Sequence, residues 1–345
     1  MRRWVVGIVL SSAFGGLWGP QATALQPQGE IAQDRIEYGE LPSVAVAAAG
    51  RMWVLDRWGE AIAEIDPATN EVVGEIDLAE LGLRSAWDLV TVRGSLWISA
   101  GRHRYVELDP ATGEIASDVR RRRSSSELQA ARGSLWLTES TRRKVWLVRM
   151  DPRSGKTVAR FRLGRTNTHA GKVVAFDGSI WALREHGRHV AGTGPSPTFY
   201  VTASLWRIDP RSNEIVDKMP LGSTYTRGPV NPVIGDIAVA DGGLWMSRVH
   251  ERRLVLVNPR TGRVRDVQPV AEFRLPWEIE VLGEDVWVGE LNETRIARVE
   301  PATDGRTFVD VDAPTSYIAA GFGSVWAPVA SGPEPRGEVV RLTPR

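Results

Sequence analysis

The sequence predicts an all-β fold, a seven-bladed β-propeller with four-stranded blades whose ring is closed by an N-terminal strand pairing into the last blade. Three observations carry this. A tryptophan returns in the pattern small-Gly-x-apolar-Trp at Trp53, Trp97, Trp136, Trp181, Trp245, Trp287 and Trp326; five of the six intervals lie between 39 and 45 residues and the fourth is 64. A period of that length marks an array whose units are too small to bury an apolar face alone. A second motif, Asp-Pro-x-Thr/Ser-Gly/Asn, follows the tryptophans as Asp66–Asn70, Asp109–Gly113, Asp151–Gly155, Asp209–Asn213 and Asn258–Gly262, and more loosely as Glu300–Gly305. Finally, Gly29-Glu30-Ile31-Ala32-Gln33-Asp34 near the N-terminus matches Gly113-Glu114-Ile115-Ala116-Ser117-Asp118 at five of six positions.

Blade one shows the unit. Residues 43–49 alternate loosely, Gly50 turns the chain, and 51–56, 61–65 and 71–78 read as three further strands. In the turn, Asp accepts from the backbone, Pro presets φ, and the last residue takes φ > 0, which suits a tight hairpin. Six internal turns serve seven tryptophan units, so the seventh blade is split between the chain ends. Residues 338–344 supply its third strand and 30–38 its fourth, leaving no open sheet edge.

Residues 1–24 read as a secretory signal: Arg2 and Arg3, an apolar run from Trp4 to Trp18, and the small-x-small site Ala22-Thr23-Ala24. The run is short for a membrane span, although an uncleaved anchor is the alternative. Residues 25–345 then form one propeller domain, expected to be a periplasmic or secreted monomer with no integral membrane segment after cleavage. Loss of the leader leaves 41 Lys plus Arg against 42 Asp plus Glu, so nucleic acid is not an expected partner. The chain has no Cys, which excludes disulfide and thiol chemistry.

Strand parity puts the stereotyped Asp-Pro turns on one face, the bottom, and the variable loops on the other. Binding is expected on this top face, with a small molecule, a peptide or a protein as partner. Two top segments are enlarged, 184–204 as a loop of blade four and 222–235 as a loop leading into blade five, and they are expected to be neighbours. Nine residues before each repeat Trp, at the tunnel mouth, stand Val44, Asp88, Glu127, Lys172, Asp236, Glu278 and Tyr317. Trp87 and Trp277 precede two of the carboxylates, and His169 lies three residues before Lys172; aromatics beside carboxylates suit a cationic or cyclic ligand. A second polar set three residues after the Trp comprises Asp56, Glu139, Arg184, Arg248 and Glu290. Clustered carboxylates raise one another's pKa or recruit a cation, so Asp88, Glu127, Asp236 and Glu278 are candidate ligands for Mg²⁺ or Ca²⁺. The competing expectation is a hydrated mouth with internal pairs, Lys172 with Glu127 or Asp236. Basic runs at Arg102-His103-Arg104, Arg120–Arg123 and Arg142–Lys144 form either an anion contact or a solvated charge run.

The unit Gly-x-apolar-Trp, then a strand, then Asp-Pro-x-Thr-Gly, as in Asp109–Gly113, resembles the YVTN-type propellers and the streptogramin (virginiamycin B) lyase-like propellers over residues 29–345. The resemblance implies either an exported binding protein or, as the alternative, a metal-dependent lyase or hydrolase using Mg²⁺ with a His and a Glu at the tunnel mouth. Glu278 and Glu290 of blade six occupy suitable places for the latter. No His stands nine residues before a repeat Trp, and the nearest candidate base is His169 of blade four.

Overall fold

The computed structural model describes residues 30–345 apart from 59, 102, 123–126, 166, 192–197, 228–232, 267–272, 304, 316 and 332–335. Its first strand, β1 (Ile31–Glu37), belongs to the last blade. Blade one follows as β2 (Pro42–Ala48), β3 (Arg51–Asp56), β4 (Ala61–Asp66) and β5 (Glu71–Asp77); blade two as β6 (Ala86–Val92), β7 (Ser95–Ala100), β8 (Arg104–Leu108) and β9 (Ile115–Arg120). Blade three is β10 (Leu128–Ala131), β11 (Ser134–Ser140), β12 (Val145–Met150) and β13 (Thr157–Gly164); blade four is β14 (Thr168–Phe176), β15 (Ser179–Ala191), β16 (Thr198–Asp209) and β17 (Glu214–Arg227). Blade five comprises β18 (Ile234–Ala240), β19 (Gly243–Arg248), β20 (Arg253–Val257) and β21 (Val264–Asp266), and blade six β22 (Pro276–Leu282), β23 (Asp285–Glu290), β24 (Glu293–Glu300) and β25 (Gly305–Thr315). Blade seven is β26 (Ala319–Gly321), β27 (Ser324–Ser331) and β28 (Arg336–Pro344), completed by β1.

All seven sheets are antiparallel and four-stranded among the described residues, giving a seven-bladed propeller without helices. Among the described residues no helix is long and apolar enough to cross a membrane. The ring closes as the termini predict. β1 pairs antiparallel with β28 from Ile31 opposite Pro344 to Glu37 opposite Glu338.

The Asp-Pro turns behave as their chemistry requires. Asp66 Oδ1 accepts from the Ala68 N–H at 2.8 Å, and the Asn70 N–H returns to the Asp66 carbonyl at 2.9 Å with φ of 61° at Asn70. Asp109, Asp151, Asp209 and Asn258 repeat the side-chain contact two residues on. Two of these turns also accept an arginine from the preceding blade. Arg149, opposite Trp136 on β12, donates through Nη1 to the Pro210 carbonyl at 2.7 Å and to Asn213 Oδ1 at 2.8 Å in the turn of blade four. Arg341, opposite Trp326 on β28, does the same to Pro67 and Asn70 across the closing seam, at 2.5 and 2.7 Å.

The seven repeat tryptophans are 0–2% exposed, as expected of packing residues. In four of them, Trp53, Trp136, Trp181 and Trp326, the indole N–H donates to the backbone carbonyl five residues earlier, at 2.9–3.3 Å. That bond closes the hairpin between the first two strands of the blade and lets a polar N–H be buried without loss.

One expectation is corrected. Residues 184–204 are not a simple loop: β15 and β16 run on as a long hairpin, with Arg184 opposite Ser204 and His189 opposite Phe199. Residues 222–227 likewise extend β17, from Gly222 opposite Ala203 to Arg227 opposite Thr198. The two enlarged segments are thus neighbours, joined as one raised sheet. The alternation of β-branched and aromatic residues in 198–206 favours pairing over an irregular loop.

Two outcomes follow for stability. Trp97→Ala is expected to cost about 3–5 kcal/mol, the range for emptying a large aromatic site, measured by urea unfolding. Removing residues 30–38 should expose β28 as an edge and sharply lower the melting temperature; an unchanged transition would contradict the closure.

Candidate functional site

A central cavity of about 670 Å³ is walled by the first strand of the blades. Its lining includes all seven residues of the position nine before the Trp: Val44, Asp88, Glu127, Lys172, Asp236, Glu278 and Tyr317. Trp87, Trp277 and His169 line it as well. That adjacent residues both face inward has a local cause. The pairing of first and second strands slips between Ala86 and Asp88, between Ile234 and Ile237, and between Pro276 and Glu278, with similar slips in blades one and four. Each slip is a β-bulge, which re-aims side chains at the rim. Trp87 and Trp277 are the extra residues of blades two and six; Trp87 is 56% exposed. In blade five the bulge holds Gly235, where a Cβ would stand 2.5 Å from the Trp277 carbonyl oxygen.

Asp88 and Asp236 share one arrangement. Asp88 accepts from the Leu89 N–H at 3.0 Å and, across the blade boundary, from the Leu128 N–H at 2.9 Å. Asp236 accepts from its own neighbour Ile237 at 2.7 Å and from Ile279 of blade six at 3.1 Å. Each carboxylate is therefore both cavity wall and inter-blade clasp. Between blades three and four Gln129 does the same work, accepting from the Val173 N–H and donating to the Gly171 carbonyl at 3.1 Å.

Lys172 lies between two carboxylates, its Nζ 3.2 Å from Asp236 Oδ2 and 3.3 Å from Glu278 Oε1. Burial pulls the ammonium pKa down, but Asp236, Glu278 and Glu280 more than offset this and hold it well above the usual lysine range. Of the two internal pairs expected for Lys172, the one with Asp236 is present; Glu127 instead faces His169, Oε1 to Nε2 at 3.6 Å. Burial pushes Asp88 up to about 7, helped by Glu127, against the two backbone bonds and Lys172. Burial likewise raises Glu278 to about 8, with Lys172 opposing and Asp236 and Glu280 adding, and raises Glu280 to about 7. Tyr317 is raised by burial, with Arg57 acting in the other direction.

The four carboxylates do not assemble a metal centre. Among the described residues no three Asp, Glu or His side chains converge on a common point, and the ammonium of Lys172 already bridges two of the four proposed ligands. The donor set does not fit Mg²⁺ or Ca²⁺, which require several oxygens around one centre.

The second polar set is placed elsewhere. Asp56 is buried and accepts from the Glu40, Leu41 and Trp58 N–H groups, and Glu290 accepts from the Arg274 N–H and from Arg295, so both brace the chain leading into or leaving a strand. Glu139 is held by Arg121 and Arg160. Arg184 and Arg248, expected to bind ligand, do not line the cavity: Arg184 donates through Nε to the Leu163 carbonyl at 2.7 Å, and Arg248 pairs with Glu251 at 2.5 Å.

Two charged lining residues have no signal in the repeat position. Arg57 lies between Trp87 and Tyr317, its guanidinium carbon 5.6 and 5.5 Å from the ring centres, and donates to the Trp87 carbonyl at 2.8 Å. Arg57 makes no ion pair among the described residues, and its buried Nε has no hydrogen-bond partner. Glu280 is the other; it stands two residues after Glu278 on the same strand, and the period of two predicts that both face inward.

No family model matches the sequence, and no curated protein matches it. Solved structures do. The chain is similar to a streptogramin B lyase, with a TM-score of 0.67 at 14% identity over 91% of this chain and 98% of that one. It is similar to a catalytically inactive virginiamycin B lyase from Staphylococcus aureus with quinupristin, with a TM-score of 0.64 at 14% identity over 90% and 99% of the two chains. The Pan2 WD40 domain of Neurospora crassa aligns with a TM-score of 0.61 at 9% identity over 91% and 97%. The likeness is one of fold, the seven-bladed propeller of the streptogramin lyases.

The raised carboxylates set a pH dependence with a definite sign. A carboxyl whose folded pKa lies above its unfolded one binds protons more tightly in the native state, so its contribution is full below the unfolded pKa and is lost as pH rises through the folded value. Glu280→Gln should therefore raise the melting temperature at pH 8 and flatten its fall between pH 5 and 8. Lys172→Met removes the shared cation, leaving Asp236 and Glu278 uncompensated. The expected loss is about 3–5 kcal/mol at pH 8, as for other broken buried pairs, shrinking toward pH 5 as Glu278 protonates.

Proposed function

We propose that this chain is an exported binding protein that holds a small organic cation in its central cavity. Export rests on the leader-like residues 1–24, which lie outside the described residues. The charge balance of the lining carries the ligand class: among the described residues Asp88, Glu127, Asp236, Glu278 and Glu280 face only Lys172, Arg57 and the imidazole of His169. Lys172 is committed to Asp236 and Glu278, which leaves Asp88, Glu127 and Glu280 in excess. Carboxylates raised by burial regain their charge most readily when a cation arrives to share the site. Trp87, Trp277 and Tyr317 add aromatic lining, with Arg57 held between Trp87 and Tyr317, and an organic cation is attracted to such rings more strongly than a hydrated metal ion. Arg57, without a carboxylate partner, offers donors to a carbonyl or carboxyl group on the same molecule.

The fold likeness to streptogramin lyases is compatible with binding, but the position of Lys172 favours no metal-assisted lyase step. A binding role is the reading that the cavity supports.

Choline and its neutral isostere 3,3-dimethyl-1-butanol test this by calorimetry. Choline should bind and the isostere should not, and choline affinity should rise from pH 6 to pH 8 as the lining deprotonates, with protons released to the buffer. Trp87→Ala should weaken binding by about 0.5–2 kcal/mol, the range for a cation on an aromatic face. Equal binding of the isostere, or an affinity indifferent to pH, would overturn the cationic reading.

A further inference from the structure

A second cavity, of about 300 Å³, lies apart from the tunnel between blades two and three, lined by Arg120, Arg121, Arg122, Glu139 and Arg160. Arg120 ends the outer strand β9, Arg121 and Arg122 follow it, Glu139 sits near the end of β11, and Arg160 is on the outer strand β13. Blade packing thus brings four guanidinium groups and one carboxylate to a single groove, although the arginines come from two separate parts of the chain.

The groove is part fixed and part open. Glu139, only 3% exposed, is the fixed centre: Oε1 accepts from Arg121 Nε at 3.0 Å and Nη2 at 2.7 Å, and Oε2 faces Arg160 Nη2. Arg121 is held further by Thr157 Oγ1 at 2.8 Å, and its backbone N–H by the His103 carbonyl at 2.7 Å. Arg160 lies over the Trp146 ring, 5.4 Å from its centre. Two guanidinium forks are therefore oriented before any ligand arrives, and one carboxylate neutralises only one of them.

The other two arginines are free to close. Arg120 is 74% exposed and has only a 3.8 Å contact with Asp118, a carboxylate that Arg104 already holds at 3.1 Å. Arg122 is exposed and makes no ion pair among the described residues. With Glu139 subtracted, the lining carries three surplus positive charges. The turn after β11 brings Arg143 and Lys144 to the same end of the blade.

Planar guanidinium forks converging from several directions match the oxygens of a tetrahedral dianion, and pre-oriented forks lose less freedom on binding than mobile ones. We propose that this groove is a phosphate-binding site, in which Arg121 and Arg160 form the floor and Arg120 and Arg122 close over the anion. It is independent of the central cavity in residues and in charge.

Isothermal titration of the full chain with inorganic phosphate and with glycerol 3-phosphate, at pH 8 and constant ionic strength, tests the proposal. Saturable 1:1 binding is expected. A tighter complex with the ester assigns the groove to phosphomonoesters, and equal or tighter binding of inorganic phosphate assigns it to the free ion. The double variant Arg120→Ala, Arg122→Ala removes exposed side chains and should keep its melting temperature. It should bind phosphate about tenfold or more weakly, the loss of a hydrogen bond to a charged group. Absence of saturable binding with either probe would overturn the site. So would an affinity unchanged in the double variant, or displacement by chloride as effective as by phosphate.

Discussion

The structure depends on one constraint: a four-stranded blade cannot cover its own apolar faces, so each must be covered by the next. The buried residues divide accordingly into seven clusters, and each draws on two consecutive blades. Trp53 packs with Leu89, Leu96 and Ile98 of blade two; Trp97 with Leu128, Leu135 and Leu137 of blade three; and so on to Trp326, which packs with Met52, Val54 and Ile65 of blade one. One repeat tryptophan serves each interface. The period of the sequence is thus the period of the interfaces, and the large rigid indole supplies most of the area that a thin wedge of sheet can offer.

The central site follows from the same packing. A ring of seven wedges leaves space at its axis, and the strands nearest the axis bring equivalent residues around one mouth. Bulges there turn two successive side chains inward, which is how Trp87 and Asp88 share the wall. A concentration of carboxylates would be costly if all were charged. The protein offsets that cost by seating Lys172 between two of them and by letting burial raise the pKa of Asp88 and Glu280, which favours their neutral forms. Charge in this cavity is therefore adjustable, whereas Glu139 between the blades is fixed by two guanidinium groups, Arg121 and Arg160.

Much of the architecture was legible because its signals repeat. Seven tryptophans, the Asp-Pro turns and the matching Glu-Ile-Ala segments each report the same blade, so errors in one are corrected by the others. The ring position nine before each Trp was legible for the same reason. What does not repeat was harder to read. Arg57 enters the cavity because its guanidinium is gripped by Trp87 from blade two and Tyr317 from blade seven, a contact between parts of the chain that no local pattern encodes. Glu280 was within reach of simple strand parity. Arg184 and Arg248 shared a repeat position with Asp56, Glu139 and Glu290, but at the upper end of the second strand the outcome depends on which loop needs bracing. The hairpin of blade four reads as a loop in the sequence because the length anomaly marks an insertion more plainly than the strand propensity of 198–206 marks a pairing.

The pairing of β1 with β28 has a consequence in time as well as in space. Ile31 leaves the ribosome early and its partner Pro344 much later, so the final blade cannot form until the other six blades have been synthesised. Until then the growing array carries an unpaired strand at one end and an uncovered apolar face at the other, the features through which β-proteins associate with one another. The closure that removes every edge from the finished ring thus makes each incomplete chain more vulnerable than any of its blades would suggest, and a nascent molecule stalled near residue 330 would be the most exposed species in its life history.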